Sequence, residues 1–360
     1  MEPATRVTIM PPPMALHSAA NPPAERVSAL GSPGLAYRPE LDGIRGIAIL
    51  LVLAQHINLP SSTLAGLVGV NLFFALSGYL ITNLLITEQR ATGRIDLRRF
   101  YERRVRRLVP ALVAVVVATG VLMAIMGRLH DYIGPAAVSL FYVSDIAKAI
   151  GYDLGYVGHT WSLAMEEQFY LLWPALLIFL PRRLLVPATV AGIVGAIVLQ
   201  FTLVPDNVLQ HFRPDVRADA ILWGCLMALV PRAVPRWLTV ASLIGVVGVA
   251  FTPFPWPWAI GVSAFLSVLV VAGAGTIAVP LSNKALVRIG QISYGIYLWH
   301  AIPVGLFEQR TLAGDVVAMV AVVAASIGLA LISERWIEKP FRRPRQAPVS
   351  GFAAEPAPST

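Results

Sequence analysis

Ten apolar stretches, most of them near the roughly 20 residues that cross a bilayer, leave this chain few ways to fold other than as a bundle of helices embedded in a membrane. They cover residues 44–59, 64–86, 108–126, 161–180, 184–204, 218–230, 237–251, 256–279, 289–307 and 316–332. Over the 360 residues, 56% are apolar and only 13% charged, with a mean hydropathy of +0.69. A soluble domain carries about 25% charged residues, so an ordinary soluble enzyme is excluded. Pro-rich residues 1–37 and residues 346–360 read as disordered tails flanking one membrane domain, 38–345. The single Cys225 excludes a disulfide framework.

Charge sets the expected topology. An eleventh candidate, around 133–150, contains Pro135, Ser139, Asp145 and Lys148, and hydropathy alone leaves its crossing open. If it does not cross, 22 of the 28 Lys and Arg fall on the side of the N-terminus, including eight Arg between Arg90 and Arg107. Cytoplasmic loops carry such an excess. The expectation is therefore an all-α polytopic membrane protein with about ten transmembrane helices and both termini cytoplasmic. Topology then accounts for the +8 charge, and no nucleic-acid partner is expected.

Ionisable side chains inside apolar helices are costly and mark functional positions, with a structural ion pair as the competing explanation. Four clusters qualify. In the first, Asp42, Arg45 and His56 share a segment; Arg45 and His56 lie on one helical face about 16 Å apart, and Asp42 is one turn from Arg45, within pairing range. His56 is expected near mid-membrane. The second contains Asn71, Ser77 and Gly78, where Gly78 suits close helix packing and Asn71 either contacts substrate or caps a turn. The third runs from His159 through Ser162, Glu166 and Glu167 to Trp173, with one carboxylate a candidate for proton transfer and the other for bracing an Arg. The fourth spaces Ser293, Tyr297 and His300 at i, i+4 and i+7. Arg217 and Asp219 read as an outward-facing ion pair, either structural or substrate-binding. The Arg-rich segment that includes Arg103 and Arg104 suits either anionic lipid headgroups or a phosphorylated donor. No metal-ligand spacing, Gly-rich phosphate loop or Gly-x-Ser-x-Gly elbow is present, and no metal is expected.

These blocks, with Phe100–Pro110, Arg217–Ala220 and Glu338–Arg343, occur in one order across about residues 37–343. They resemble the integral-membrane acyltransferase family 3, the O-acyltransferases of bacterial envelopes and antibiotic pathways. The resemblance implies transfer of an acyl group, commonly acetyl from acetyl-CoA as co-substrate, to a carbohydrate or glycoside hydroxyl at the bacterial cytoplasmic membrane. It implies His56, Glu166 and Glu167 as catalytic residues and Arg45, Arg103 and Arg104 as donor-binding. Asp42, Asn71, Ser77, His159, Ser162, Arg217, Asp219, Tyr297 and His300 become acceptor-binding or supporting. His56 serves either as general base toward the hydroxyl or as a covalent acyl relay. Asn71 stands where such proteins often have Asp, and Ala164-Met165 replaces the more usual Ser-Val. The chain ends soon after the tenth stretch without the appended esterase-like domain of some relatives, so the expectation is that it acts alone or hands its acyl group to a separate extracytoplasmic protein. A sugar or lipid-linked glycan transporter is the competing class, although no inverted repeat supports it.

Overall fold

A computed structural model describes residues 37–253, 255–308 and 315–341. Except for Tyr37, the expected disordered tails, together with Arg310, Arg342, Arg343 and Arg345, lie outside these residues.

Every described element is helical: α1 (Pro39–His56), α2 (Ala65–Thr92), α3 (Leu97–Ile125), α4 (Leu129–Leu140), α5 (Ser144–Ala149), α6 (Trp161–Phe179), α7 (Arg182–Leu203), α8 (Pro214–Leu229), α9 (Arg236–Phe251), α10 (Trp256–Gly273), α11 (Ala278–Leu281), α12 (Lys284–Gln291), α13 (Ser293–Trp299), α14 (Ala301–Glu308) and α15 (Val316–Ser333). Among the described residues, five helices are long and apolar enough to cross a membrane: α2, α3, α7, the continuous run Trp256–Leu281, and Val316–Phe341.

Local chemistry explains the boundaries. Pro39 opens α1 where its missing N–H costs nothing, and Glu40 and Asp42 occupy the positive end of the helix dipole. Gly93, in the left-handed region at φ 76°, ends α2. Asp96 then caps α3 by accepting the Arg99 N–H at 2.9 Å, and Asp315 caps α15 in the same way. The ambiguous segment at 133–150 forms α4 and α5, two short helices separated at Tyr142, which has a positive φ of 55°. The ninth apolar stretch is also not one continuous helix; it is divided among α12, α13 and α14.

The core forms around α2, which packs against α1, α6, α8, α9 and α10. Its contact with α8 is backbone on backbone. A Cβ at Gly78 would fall 2.0 Å from the Ile221 carbonyl oxygen, and one at Gly224 would fall 2.3 Å from that of Ala75. Gly78 thus has the packing role expected of a small residue in an apolar helix. This close approach brings the polar positions of α2 against those of α6 and α8.

Candidate active site

Residues from four separate segments meet at one end of the bundle. His56 is the last residue of α1, and the loop 57–64 follows directly. Its ring packs edge-on to that of His300 with centroids 4.7 Å apart. The ring of His159, from the 3₁₀ turn Gly155–Thr160, lies 5.1 Å from that of His300. Tyr297 joins the group: its hydroxyl is 2.6 Å from Ser162 Oγ and donates to the His159 carbonyl at 2.6 Å.

Backbone carbonyls fix the imidazole tautomers. Nδ1 of His56 is 2.8 Å from the Val52 oxygen, and Nδ1 of His300 is 2.6 Å from the Tyr297 oxygen. A carbonyl only accepts, so each Nδ1 carries the hydrogen and each Nε2 is the basic nitrogen. His300 is fully buried, and its Nε2 has no hydrogen-bond partner.

One turn further along α6, Glu166 Oε1 accepts a 2.8 Å hydrogen bond from Ser77 of α2. Arg45 and Arg104 both lie close enough to act electrostatically on Glu166. Glu167 points to a different partner, receiving Arg104 at 2.8 Å, while the same guanidinium sits 3.3 Å from the centroid of the Tyr170 ring. One carboxylate of the pair thus braces an Arg and the other faces the interior. A polar column consequently runs from Arg104 and Glu167 through Arg45, Ser77 and Glu166 to Ser162, Tyr297 and the three histidines. Asp42 does not pair with Arg45. It accepts from the Tyr37 hydroxyl at 2.9 Å at the start of α1, one turn short of the interior that Arg45 reaches. Arg103, beside the column on α3, is half-buried among Arg99, Glu88 and Asp96.

Arg217 and Asp219 form a second polar group, which differs from the expected outward-facing ion pair. Both are fully buried and make no ion pair with each other, because two positions along a helix turn the side chains to different faces. Arg217 instead donates at 2.6 Å to Oδ1 of Asn71, with the rings of Phe74 and Trp161 5.8 and 5.7 Å from its guanidinium carbon. Asn71 does not cap a turn: it lies inside α2, within two turns of its start, and donates in turn to Ser263 of α10 at 2.7 Å. Ser263 was not singled out in the sequence, whereas helical spacing put Tyr170 near the face of Ser162 and Glu166 without giving it a role. One of two serines in the apolar 256–279 stretch, the other being Ser267, was the available signal for Ser263, and the one-turn spacing from Glu166 was the signal for Tyr170. Among the described residues, no group of His, Cys, Asp or Glu is arranged to hold a metal ion.

An apolar helical bundle that gathers imidazoles, paired hydroxyls and a carboxylate along one column has the make-up of a membrane enzyme. A family model described as an acyltransferase domain matches residues 38–335, and the chain belongs to that family. It is 34% identical over 353 residues to the peptidoglycan O-acetyltransferase OatA of Listeria monocytogenes, covering 85% of this chain and 56% of the relative. To the O-acetyltransferase OatA of Staphylococcus aureus it is 32% identical over 359 residues, covering 89% of this chain and 59% of the relative. The chain thus spans less than three-fifths of the length of these relatives. No solved structure matches. Family and relatives alike point to an O-acetyltransferase-like membrane enzyme and give no support to a transporter.

Proposed function

We propose that this protein transfers an acetyl group from acetyl-CoA to a hydroxyl of a cell-wall carbohydrate. The observation that supports this most directly is the convergence of His56, His159, Ser162, Tyr297 and His300, from four segments, with Nε2 the basic nitrogen of His56 and of His300. A sugar hydroxyl is a weak nucleophile at neutral pH. His56 Nε2 takes its proton as the oxygen attacks the thioester carbonyl; the C–O bond forms, the C–S bond breaks, and the proton leaves on the CoA sulfur. The donor approaches from the Arg-rich side, where Arg103 and Arg45 hold its phosphates while the pantetheine arm carries the thioester on to the histidine group. Arg104, already engaged by Glu167 and Tyr170, shapes that approach. Glu166 supplies negative charge beside Arg45, and the Arg217 and Asn71 pair supports the acceptor side. The topology that goes with this reading is ten crossings of the bacterial cytoplasmic membrane with both termini inside.

The test is thiol release from acetyl-CoA by proteoliposomes holding the protein, with peptidoglycan oligosaccharides as acceptor. The wild type should release thiol in an acceptor-dependent way, and His56→Ala should lower this by about 10²–10⁴-fold, the usual contribution of positioned acid–base catalysis, with protein still folded in the membrane. Near-normal turnover in His56→Ala would overturn the assignment.

A further inference from the structure

His300 occupies the middle of the three-imidazole group, 4.7 Å from His56 on one side and 5.1 Å from His159 on the other, centroid to centroid. Three features make it more than packing. It is fully buried, so its Nε2 cannot be satisfied by bulk water, and that nitrogen has no hydrogen-bond partner. An unsatisfied buried polar atom carries a desolvation cost that folding alone gives no reason to keep. Its tautomer is set by the Tyr297 carbonyl, which leaves the basic lone pair at Nε2. The ring also stands at the joint between α13 and α14, with Tyr297, which orients it, held by Ser162 and by the His159 carbonyl. Two turns of bonding therefore fix one nitrogen whose own valence is unused.

We infer that His300 is the proton-carrying middle member of a His159–His300–His56 chain. This rests on the reading of His56 as the base. In that reaction the acceptor hydroxyl loses a proton as its oxygen bonds to the acyl carbon, and the thiolate expelled from CoA gains one. The hydroxyl comes from the side of His159 and the donor from the side of Arg45, about 16 Å along α1 from His56, with the pantetheine arm bringing the thioester to the histidine group. His56 Nε2 takes the hydroxyl proton, His300 Nε2 shares it while the tetrahedral intermediate stands, and the proton returns through His56 to the departing sulfur. No oxidant or further reactant is needed.

Three variants in the proteoliposome assay, with acetyl-CoA and peptidoglycan oligosaccharides, test this. In His300→Asn the amide nitrogen can still donate to the Tyr297 carbonyl but has no basic lone pair. A relay predicts that this variant loses about 10²-fold or more in kcat, with the KM for acetyl-CoA within about twofold. A purely structural histidine predicts that Asn restores most of the activity lost in His300→Ala. Added imidazole should raise the turnover of His300→Ala at least about tenfold and leave that of His300→Asn unchanged. Size-exclusion profiles in detergent verify folding; should His300→Ala fail to fold, the Asn variant alone decides. Near-wild-type kcat in His300→Asn, or loss in His300→Ala with no rescue by imidazole, overturns the relay. If His56→Ala is itself active, the reaction-centre reading has failed instead, and the two failures are thereby separated.

Discussion

Arg104 and Arg106 are two residues apart on α3, yet their surroundings differ. Arg104 meets Glu167 with both side chains less than one-fifth exposed and also lies over Tyr170. Arg106 meets Glu102, its own neighbour one turn back, with both about two-fifths exposed. Removing one partner of a buried pair strands the other charge and costs about 3–5 kcal/mol, whereas an exposed i,i+4 pair contributes only about 0.3–0.5 kcal/mol. Thermal unfolding in detergent should therefore show Arg104→Ala markedly destabilised and Arg106→Ala close to wild type; equal shifts would show that the Arg104 pair contributes nothing special. Arg104→Lys should fall nearer to Ala than to Arg, because an ammonium cannot both fork onto Glu167 and stack on Tyr170. Arg217 shows the same logic with a neutral partner. Asn71 gives it one hydrogen bond in place of the ion pair that an Asp would give, so that guanidinium keeps more of its charge uncompensated than it would opposite an Asp.

At the scale of helices, the glycine contact between α2 and α8 decides whether the column assembles. Gly78→Ala and Gly224→Ala each push a methyl into a facing carbonyl oxygen, and such overpacking costs about 1–3 kcal/mol or more where backbone is the obstacle. Both should lower melting temperature and acetyl transfer together, since Ser77 next to Gly78 is what holds Glu166. Gly195 of α7, with nothing near its added Cβ, is the control, and Gly195→Ala should leave both unchanged. The helices themselves were legible in the sequence because apolar runs bounded by Gly, Pro and Asp leave little choice. So were the members of the site, since His and Glu within such runs stand out one by one. Partnerships were not legible. Asn71 and Arg217 are 146 positions apart, and helical spacing relates only residues within a few turns; Arg217 and Asp219 looked like a pair because adjacency is all that a sequence displays. The division of the 289–307 stretch into α12, α13 and α14 was hidden for a related reason: its hydropathy is continuous, and no residue inside it other than Pro303 breaks a helix on its own.

For the whole molecule, the direction of the column depends on which loops lie on which side, and that turns on the segment between α3 and α6. At about 1.5 Å per residue, α4 and α5 are roughly 18 and 9 Å long, against a hydrocarbon core of about 30 Å, and the left-handed Tyr142 between them prevents one continuous rod. The segment is also tied back onto α6: Gln168 Nε2 donates to the Tyr142 carbonyl at 2.9 Å and to Asp145 at 3.0 Å. Lys148 packs over Phe212 at 4.3 Å, and its burial pushes the ammonium below its ordinary pKa. In the proposed ten-crossing topology a segment docked in this way returns to the side from which α3 delivers it, so that the 159 end of the column is expected to face outward and the 104 end the cytoplasm. Cysteine labelling in intact cells tests this in a Cys225→Ala background, with probes at the exposed positions Asp153 and Arg183, one on either side of α6. Asp153→Cys should react with a membrane-impermeant maleimide from outside, and Arg183→Cys only after the membrane is opened. If Arg183→Cys reacts from outside, the segment crosses after all, every later basic loop changes sides, and the histidine group could no longer receive an acceptor from the outer face while the donor enters by the Arg-rich end.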